Sequence, residues 1–241
     1  MFPLSDENPT SRTPVVTVGI ILVCVVCWFS LQGMGSEQAL ARSLCWFGLI
    51  PGKLLGLVPE GTRVQVGRNL YCVIQDHGSL ITVFSHMFMH GGWFHLIGNM
   101  WFLWVFGDNV EDAMGPVRFL LFYLLCGLAA AAMQTATHPS SVLPMVGASG
   151  AIGGVMGAYA RLYPRARVKT LLILGIFITV VSIPAMVMLG YWFLIQLLAG
   201  VPALAAAGGG VAFWAHIGGF LAGFILSVPF SLDARSGPEL S

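Results

Sequence analysis

Charged residues are scarce in this chain: Asp, Glu, Lys and Arg make up 9% of its 241 residues, whereas hydrophobic residues make up 57%. Soluble domains contain roughly 25% charged residues, so this composition and a mean hydropathy of +0.84 exclude an ordinary soluble domain. The formal net charge of +1 gives no case for a nucleic-acid partner. The composition predicts a multi-pass protein embedded in a lipid bilayer.

Apolar runs that approach the length needed to cross about 30 Å of hydrocarbon recur six times. We place them at residues 14–32, 92–107, 116–133, 149–163, 171–189 and 211–230. The apolar stretch from 171 to 198 is too long for one upright helix, and Pro184 either kinks it or marks its true start. We expect an all-α, polytopic membrane helical bundle of about six transmembrane helices, forming one domain over residues 1–241.

Basic residues predict the orientation of this bundle. Arg161 lies at the end of the fourth span and Arg165, Arg167 and Lys169 follow it, whereas the loops at 135–146 and 200–210 contain no Lys or Arg. Positive residues in short loops favour the cytoplasmic side, so we expect both termini inside and the long 33–80 loop outside. The basic residues of that loop count against this orientation, although long loops follow the rule less strictly.

The chain contains five cysteines, and the Cys24-x-x-Cys27 spacing among them is only weak evidence for redox or metal chemistry. Cys45 and Cys72 fall in the predicted outer loop and could pair in an oxidising compartment. Cys24 and Cys27 lie in the first span, where we interpret their spacing as apolar packing.

Ser149 and His216 are reactive polar side chains inside apolar spans. Burying a hydroxyl or an imidazole without a partner costs roughly 1–3 kcal/mol or more, so each could serve as the partner of the other. A buried serine beside a basic histidine is typical of nucleophilic catalysis. Ser149 also opens a predicted helix, where free backbone N–H groups favour a developing oxyanion. The alternative is that Ser149 merely caps that helix.

Small residues predict that the fourth and sixth spans pack closely. They recur at Gly150, Gly153, Gly154 and Gly157, and again at Gly219 and Gly223. Such faces let helix backbones approach one another. His216 shares a face with the second pair, so close packing would carry its imidazole toward Ser149.

The second span carries His95 and Asn99 at i and i+4, so both lie on one helix face. Both can donate hydrogen bonds, and we expect them to hold an oxyanion; the alternative is ordinary hydrogen bonding between helices. His86 and His90 extend the stretch, but no Cys or carboxylate accompanies them, which argues against metal. No Asp or Glu lies within any predicted span, so hydrolysis would use a Ser–His dyad without an acid. We expect Glu111, just after the second span, to have a structural role.

Three segments together resemble the rhomboid family of intramembrane serine proteases, and its prokaryotic members in particular. They are His86-Met-Phe-Met-His90-Gly-Gly-Trp-Phe-His95-Leu-Ile-Gly-Asn99, Gly147-Ala-Ser149-Gly150 and Ala215-His216-Ile-Gly-Gly219, and the similarity covers residues 81–227. Each motif alone is weak, whereas three in this order form a specific signature.

The resemblance implies a nucleophile at Ser149, a general base at His216 and an oxyanion site formed by His95, Asn99 and the Ser149 amide. It implies that His86, His90, Gly147 and Gly150 lie near the active-site opening, and it implies no cofactor or metal. The expected function is cleavage of transmembrane protein substrates in a prokaryotic cell membrane. The chain departs from the family at Gly153, where some members carry an aromatic ring against the base histidine, so His216 must be oriented by another group.

The same sequence features are compatible with two other functions. An inactive rhomboid-like protein would bind membrane helices without cutting them, but both dyad residues are present here. A transporter or channel would explain the glycine-interrupted helices and the intramembrane histidines. Its spans would normally contain an ion-coupling carboxylate, and no Asp or Glu lies within the predicted spans.

Overall fold

Six long helices form the body of the protein. The computed structural model describes residues 1–75, 79–175, 177–204 and 211–231. The long helices are α1 (Val15–Ser30), α5 (Trp93–Met114), α6 (Pro116–Thr137), α7 (Ser149–Leu162), α8 (Ala185–Ala203) and α9 (Phe213–Phe230). The bundle expected from the apolar runs is therefore confirmed. By length and composition, α6, α8 and α9 are each able to cross a membrane, and α1 is a shorter apolar helix.

The segment between α1 and α5 packs on the end of the bundle. It contains the short helices α2 (Glu37–Phe47), α3 (Pro51–Leu54) and α4 (Thr82–Ser85), and an antiparallel hairpin of β2 (Arg63–Gly67) and β3 (Leu70–Val73). The Cys45–Cys72 disulfide joins α2 to β3 across a Cα–Cα distance of 5.5 Å. A β-bridge between Leu49 and Met145 attaches this segment to the loop that precedes α7.

The predicted fifth span at 171–189 is wrong, because most of it is β-structure. Strands β4 (Arg167–Leu174) and β5 (Phe177–Pro184) form an antiparallel hairpin, and the N-terminal strand β1 (Phe2–Asp6) pairs with β4. These strands are rich in β-branched Val, Ile and Thr, which favour extended backbone, and Gly175 near the turn has a φ of +63°. Pro184 marks the start of α8, as one of the two interpretations of that residue predicted.

Local sequence explains how α5 passes into α6. Gly115 has a φ of +76°, in the left-handed region that ends helices, and it closes α5. Pro116 then takes the first position of α6, where the missing N–H has no helical partner to lose. Two long helices are thereby joined by a single residue.

The end of the bundle that holds β1 also holds the basic segment after α7. Glu7 lies 3.8 Å from Lys169, and the Tyr159 hydroxyl donates a 2.5 Å hydrogen bond to Asp6. Glu111 accepts hydrogen bonds from the amides of Val16 and Thr17, at 2.9 and 2.8 Å, at the start of α1. The carboxylate of Glu111 therefore stabilises a helix N-terminus at this end, far along α5 from His95.

Glycines bring α7 and α9 into backbone contact, as their spacing predicted. A Cβ on Gly219 would overlap the carbonyl oxygen of Gly150, and a Cβ on Gly223 would overlap that of Gly154. Gly153 faces the His216 carbonyl oxygen, which lies 3.0 Å from the position of a Cβ on that glycine. Side chains at these positions would force the two helices apart.

We predict that Gly219→Ala strongly destabilises the protein, because the added methyl group cannot be accommodated without moving α7 or α9. Overpacking of this kind costs about 1–3 kcal/mol or more. Gly190→Ala on α8 is the matched control, since its Cβ would meet nothing within 4 Å. Thermal unfolding in detergent measures the difference, and equal melting temperatures for the two variants would contradict the packing described here.

Candidate active site

Ser149 and His216 meet at the contact between α7 and α9. The hydroxyl oxygen of Ser149 lies 2.8 Å from Nε2 of His216. Ser149 is the first residue of α7, and the cap position is Ala148. The alternative of Ser149 as a helix cap is therefore wrong, because its hydroxyl bonds the imidazole and no side chain caps α7.

The other nitrogen of His216 bonds a residue that the sequence analysis did not identify. Nδ1 lies 2.8 Å from Oε1 of Gln196, which is buried on α8. Trp192, one turn earlier on α8, places its ring centroid 5.7 Å from that of His216. Gly153 has no side chain that could orient His216. The hydrogen-bond acceptor and the aromatic ring that contact this histidine come instead from α8.

His95 and Asn99 lie beside the chain that leads into Ser149. A Cβ built on Gly147, whose φ is +127°, would lie 2.7 Å from Nε2 of His95 and 3.6 Å from Nδ2 of Asn99. Only glycine leaves room for both side chains at this point. The donors on α5 are therefore adjacent to the Gly147–Ser149 segment.

The protonation of His95 follows from its neighbours. The amide of Gly91 donates a 3.2 Å hydrogen bond to Nδ1 of His95, so this nitrogen accepts and the ring proton lies on Nε2. The amide nitrogen of Asn99 is buried and has no hydrogen-bond partner among the described residues. Two N–H donors on α5 are thus directed at the same place and available to bind an oxygen atom.

His86 lies next to Gly147, and His90 lies next to His95. The carbonyl of His86 accepts a 2.9 Å hydrogen bond from the amide of Gly147, and its Nδ1 pairs with the Thr82 carbonyl at 3.0 Å. The His90 ring is buried edge to face against His95 at 5.3 Å. Gln32 of the α1–α2 connection fixes the backbone of His90 by bonding both its N–H and its carbonyl. These contacts place both histidines around the pair formed by His95 and Gly147.

A cavity of about 830 Å³ opens over these groups. Ser149, His216, His95 and Asn99 line it, while His86, His90, Gly147 and Gly150 are not among its lining residues. Gly150 instead lies against Ala130 of α6 and the backbone of α9. No Asp, Glu, Lys or Arg belongs to the described lining. Aromatic and aliphatic side chains form most of it, among them Phe94, Phe102, Ile152, Met156, Trp192 and Trp214.

The cavity therefore combines an apolar lining with a hydrogen-bonded serine and histidine and two N–H donors, a combination expected of a ligand-binding site. The sequence profile of the Rhomboid domain family matches residues 77–232. That match covers more than half of the chain, and the protein belongs to the rhomboid family.

Curated relatives of the chain include proteins from a plant, a yeast and a bacterium. The chain is 26% identical over 226 residues to RHOMBOID-like protein 1 of Arabidopsis thaliana, covering 92% of this chain and 54% of the relative. It is 29% identical to the mitochondrial Rhomboid protein 1 of Saccharomyces cerevisiae, over 61% of this chain and 41% of the relative. It is 32% identical to Rhomboid protease GluP of Bacillus subtilis, over 60% of this chain and 25% of the relative. The chain thus spans about half, or less, of the length of these relatives.

Proposed function

We propose that this protein is an intramembrane serine endopeptidase, which hydrolyses peptide bonds in or near the transmembrane segments of other membrane proteins. The observation that carries the proposal is the 2.8 Å hydrogen bond between Ser149 and His216 at the floor of an apolar cavity. Membership of the rhomboid family supports it.

The reaction begins when the hydroxyl oxygen of Ser149 attacks the substrate carbonyl and its proton passes to Nε2 of His216. The carbonyl oxygen becomes an oxyanion, which accepts hydrogen bonds from Asn99 Nδ2, His95 Nε2 and the Ser149 amide. That amide is the first of α7 and has no acceptor within the helix. His216 then gives its proton to the departing amine as the C–N bond breaks, which leaves an acyl ester on Ser149.

Water completes the cycle. It loses a proton to His216 as it attacks the ester, and the proton returns to the Ser149 oxygen when the acid leaves. Water must therefore reach the cavity, which is lined in part by the loop residues 143–146 before α7 and 211–212 before α9. The apolar lining suits the side chains of a membrane segment, and a helix must unwind locally before its carbonyl can reach Ser149.

We further propose a single rhomboid-like domain over residues 1–241, with both termini on the cytoplasmic side of a prokaryotic cell membrane. The contact between Glu7 and Lys169 and the pairing of β1 with β4 place the N-terminal residues beside the basic segment after α7. That segment favours the cytoplasmic side. Residues 232–241 lie outside the described part of the chain.

We predict that Ser149→Ala and His216→Ala each abolish cleavage, because each removes one partner of the proton transfer. The assay uses purified protein in liposomes with a fusion protein whose single transmembrane segment contains Gly or Pro. Ser30→Ala is the matched control, since Ser30 is an exposed serine on α1. Cleavage that persists in both dyad variants would refute the proposal. A wild-type protein that binds the segment without cutting it would support the inactive binding protein instead.

Asn99→Leu should lower kcat by about 10²–10³-fold, because loss of one oxyanion donor costs that much in other hydrolases. KM should change little, since the donor acts mainly when charge develops on the carbonyl oxygen. Ile97→Leu is the control, because Ile97 lies on the exposed face of the same helix. A kcat unaltered by Asn99→Leu would contradict the proposed role of Asn99 in binding the oxyanion.

A further inference from the structure

The base histidine is held by α8 as well as by its own helix. Gln196 is 8% exposed, and its Oε1 lies 2.8 Å from Nδ1 of His216. Trp192 precedes Gln196 by four residues, so both side chains lie on one face of α8. That face therefore contacts the imidazole twice, at an edge through Gln196 and over the ring through Trp192.

This contact selects the ring tautomer. A carboxamide oxygen only accepts hydrogen bonds, so the bond from Nδ1 places the proton of a neutral imidazole on Nδ1. Nε2 then presents a lone pair toward the hydroxyl of Ser149 at 2.8 Å. In the other tautomer Nε2 would carry the proton and could not accept one from Ser149.

Among the described residues, no other group hydrogen-bonds Nδ1 of His216. The described lining of the cavity contains no carboxylate. Gly153, on the side of α7, contacts the His216 carbonyl and leaves no room for a ring from that helix. A free imidazole in the cavity could rotate or exchange tautomers, so the orientation of the base depends on α8.

We infer that Gln196 is a positioning residue that holds His216 in the orientation and tautomer able to deprotonate Ser149. The inference rests on the proposed function and deepens it. Gln196 takes the place of the acid in a Ser–His–Asp triad, but without charge, so it orients the imidazole and stabilises the imidazolium less than a carboxylate does. It also makes the catalytic geometry depend on the position of α8, since a displacement of that helix breaks the bond.

Two substitutions test the inference. Gln196→Met keeps an unbranched side chain of similar length and removes the acceptor, whereas Gln196→Glu restores an acceptor and adds charge. Leu198→Met introduces the same residue on the exposed face of α8 and is the matched control. The measurements are kcat and KM on the fusion substrate over a range of pH, thermal stability in detergent, and ¹⁵N NMR of labelled histidine.

For Gln196→Met we expect kcat to fall at least about tenfold with KM unchanged, within the ~10⁴-fold that a wrong tautomer costs in a charged triad. Its melting temperature should match that of Leu198→Met. The NMR spectrum should report Nδ1–H for His216 in the wild type and a mixture of tautomers in Gln196→Met. This signal does not depend on catalysis, so it tests the positioning role of Gln196 separately from the proposed peptidase activity.

Gln196→Glu should recover part of the lost kcat and move the acidic limb of the pH profile to higher pH, because a carboxylate stabilises the protonated imidazole. The groups that face His216 are Ser149 from α7, Trp192 and Gln196 from α8, and the titratable His95 from α5. His95 is the same in every variant. The ¹⁵N signals of the two histidines are followed separately, so a change in the titration of His216 is distinguished from one in that of His95.

A Gln196→Met variant with wild-type kcat, or with an unchanged His216 tautomer, would overturn the inference and leave the proposed peptidase intact. An inactive wild type whose His216 nevertheless shows the Nδ1–H tautomer would overturn the peptidase, and with it the catalytic role of Gln196.

Discussion

The backbone contact between α7 and α9 is the constraint on which the rest of the structure depends. Gly150 and Gly154 on one helix meet Gly219 and Gly223 on the other, without side chains between them. At this separation a serine at the start of α7 and a histidine near the start of α9 are one hydrogen bond apart. Packing of this kind stabilises membrane helices, which gain little from the hydrophobic effect between themselves. The same glycines thus serve both stability and chemistry.

A second constraint is the cost of polar groups in an apolar bundle. The described lining of the cavity contains no Asp, Glu, Lys or Arg. Several polar groups at or beside the site are paired: His216 with Ser149 and Gln196, His95 with Gly91, and the backbone of His90 with Gln32. Near the site, the buried nitrogens without a partner among the described residues are Nδ2 of Asn99 and the two ring nitrogens of His90, and of these only Asn99 belongs to a residue that lines the cavity. A buried donor left free costs about 1–3 kcal/mol, and a substrate oxyanion would repay that cost during the reaction.

Much of this arrangement could be predicted from the sequence. The apolar runs predicted five of the six long helices near their observed positions, and the spacing of the glycines predicted the close packing of α7 against α9. The fifth span was misplaced because hydropathy does not distinguish an apolar β-hairpin from an apolar helix. The β-branched residues of 167–183 and Gly175 were the available signal.

Other features depend on contacts between segments that are far apart in the sequence. Gln196 is one polar residue in a long apolar run, and it can be matched to His216 only when the start of α8 is known. Its position four residues after Trp192 indicated a shared face, but not which helix that face meets. The pairing of Cys45 with Cys72 stayed open for the same reason, since two cysteines in one loop do not reveal the distance between them. The support of Gly147 by His86 likewise depends on tertiary contacts.

The central claim is that Ser149 is an activated nucleophile. The most direct test is to incubate the purified protein with a serine-directed fluorophosphonate and to locate the adduct by mass spectrometry. We predict one modified serine, Ser149, with labelling lost in His216→Ala although the serine is retained. A folded wild-type protein that does not react, or that reacts at another serine, would contradict the claim.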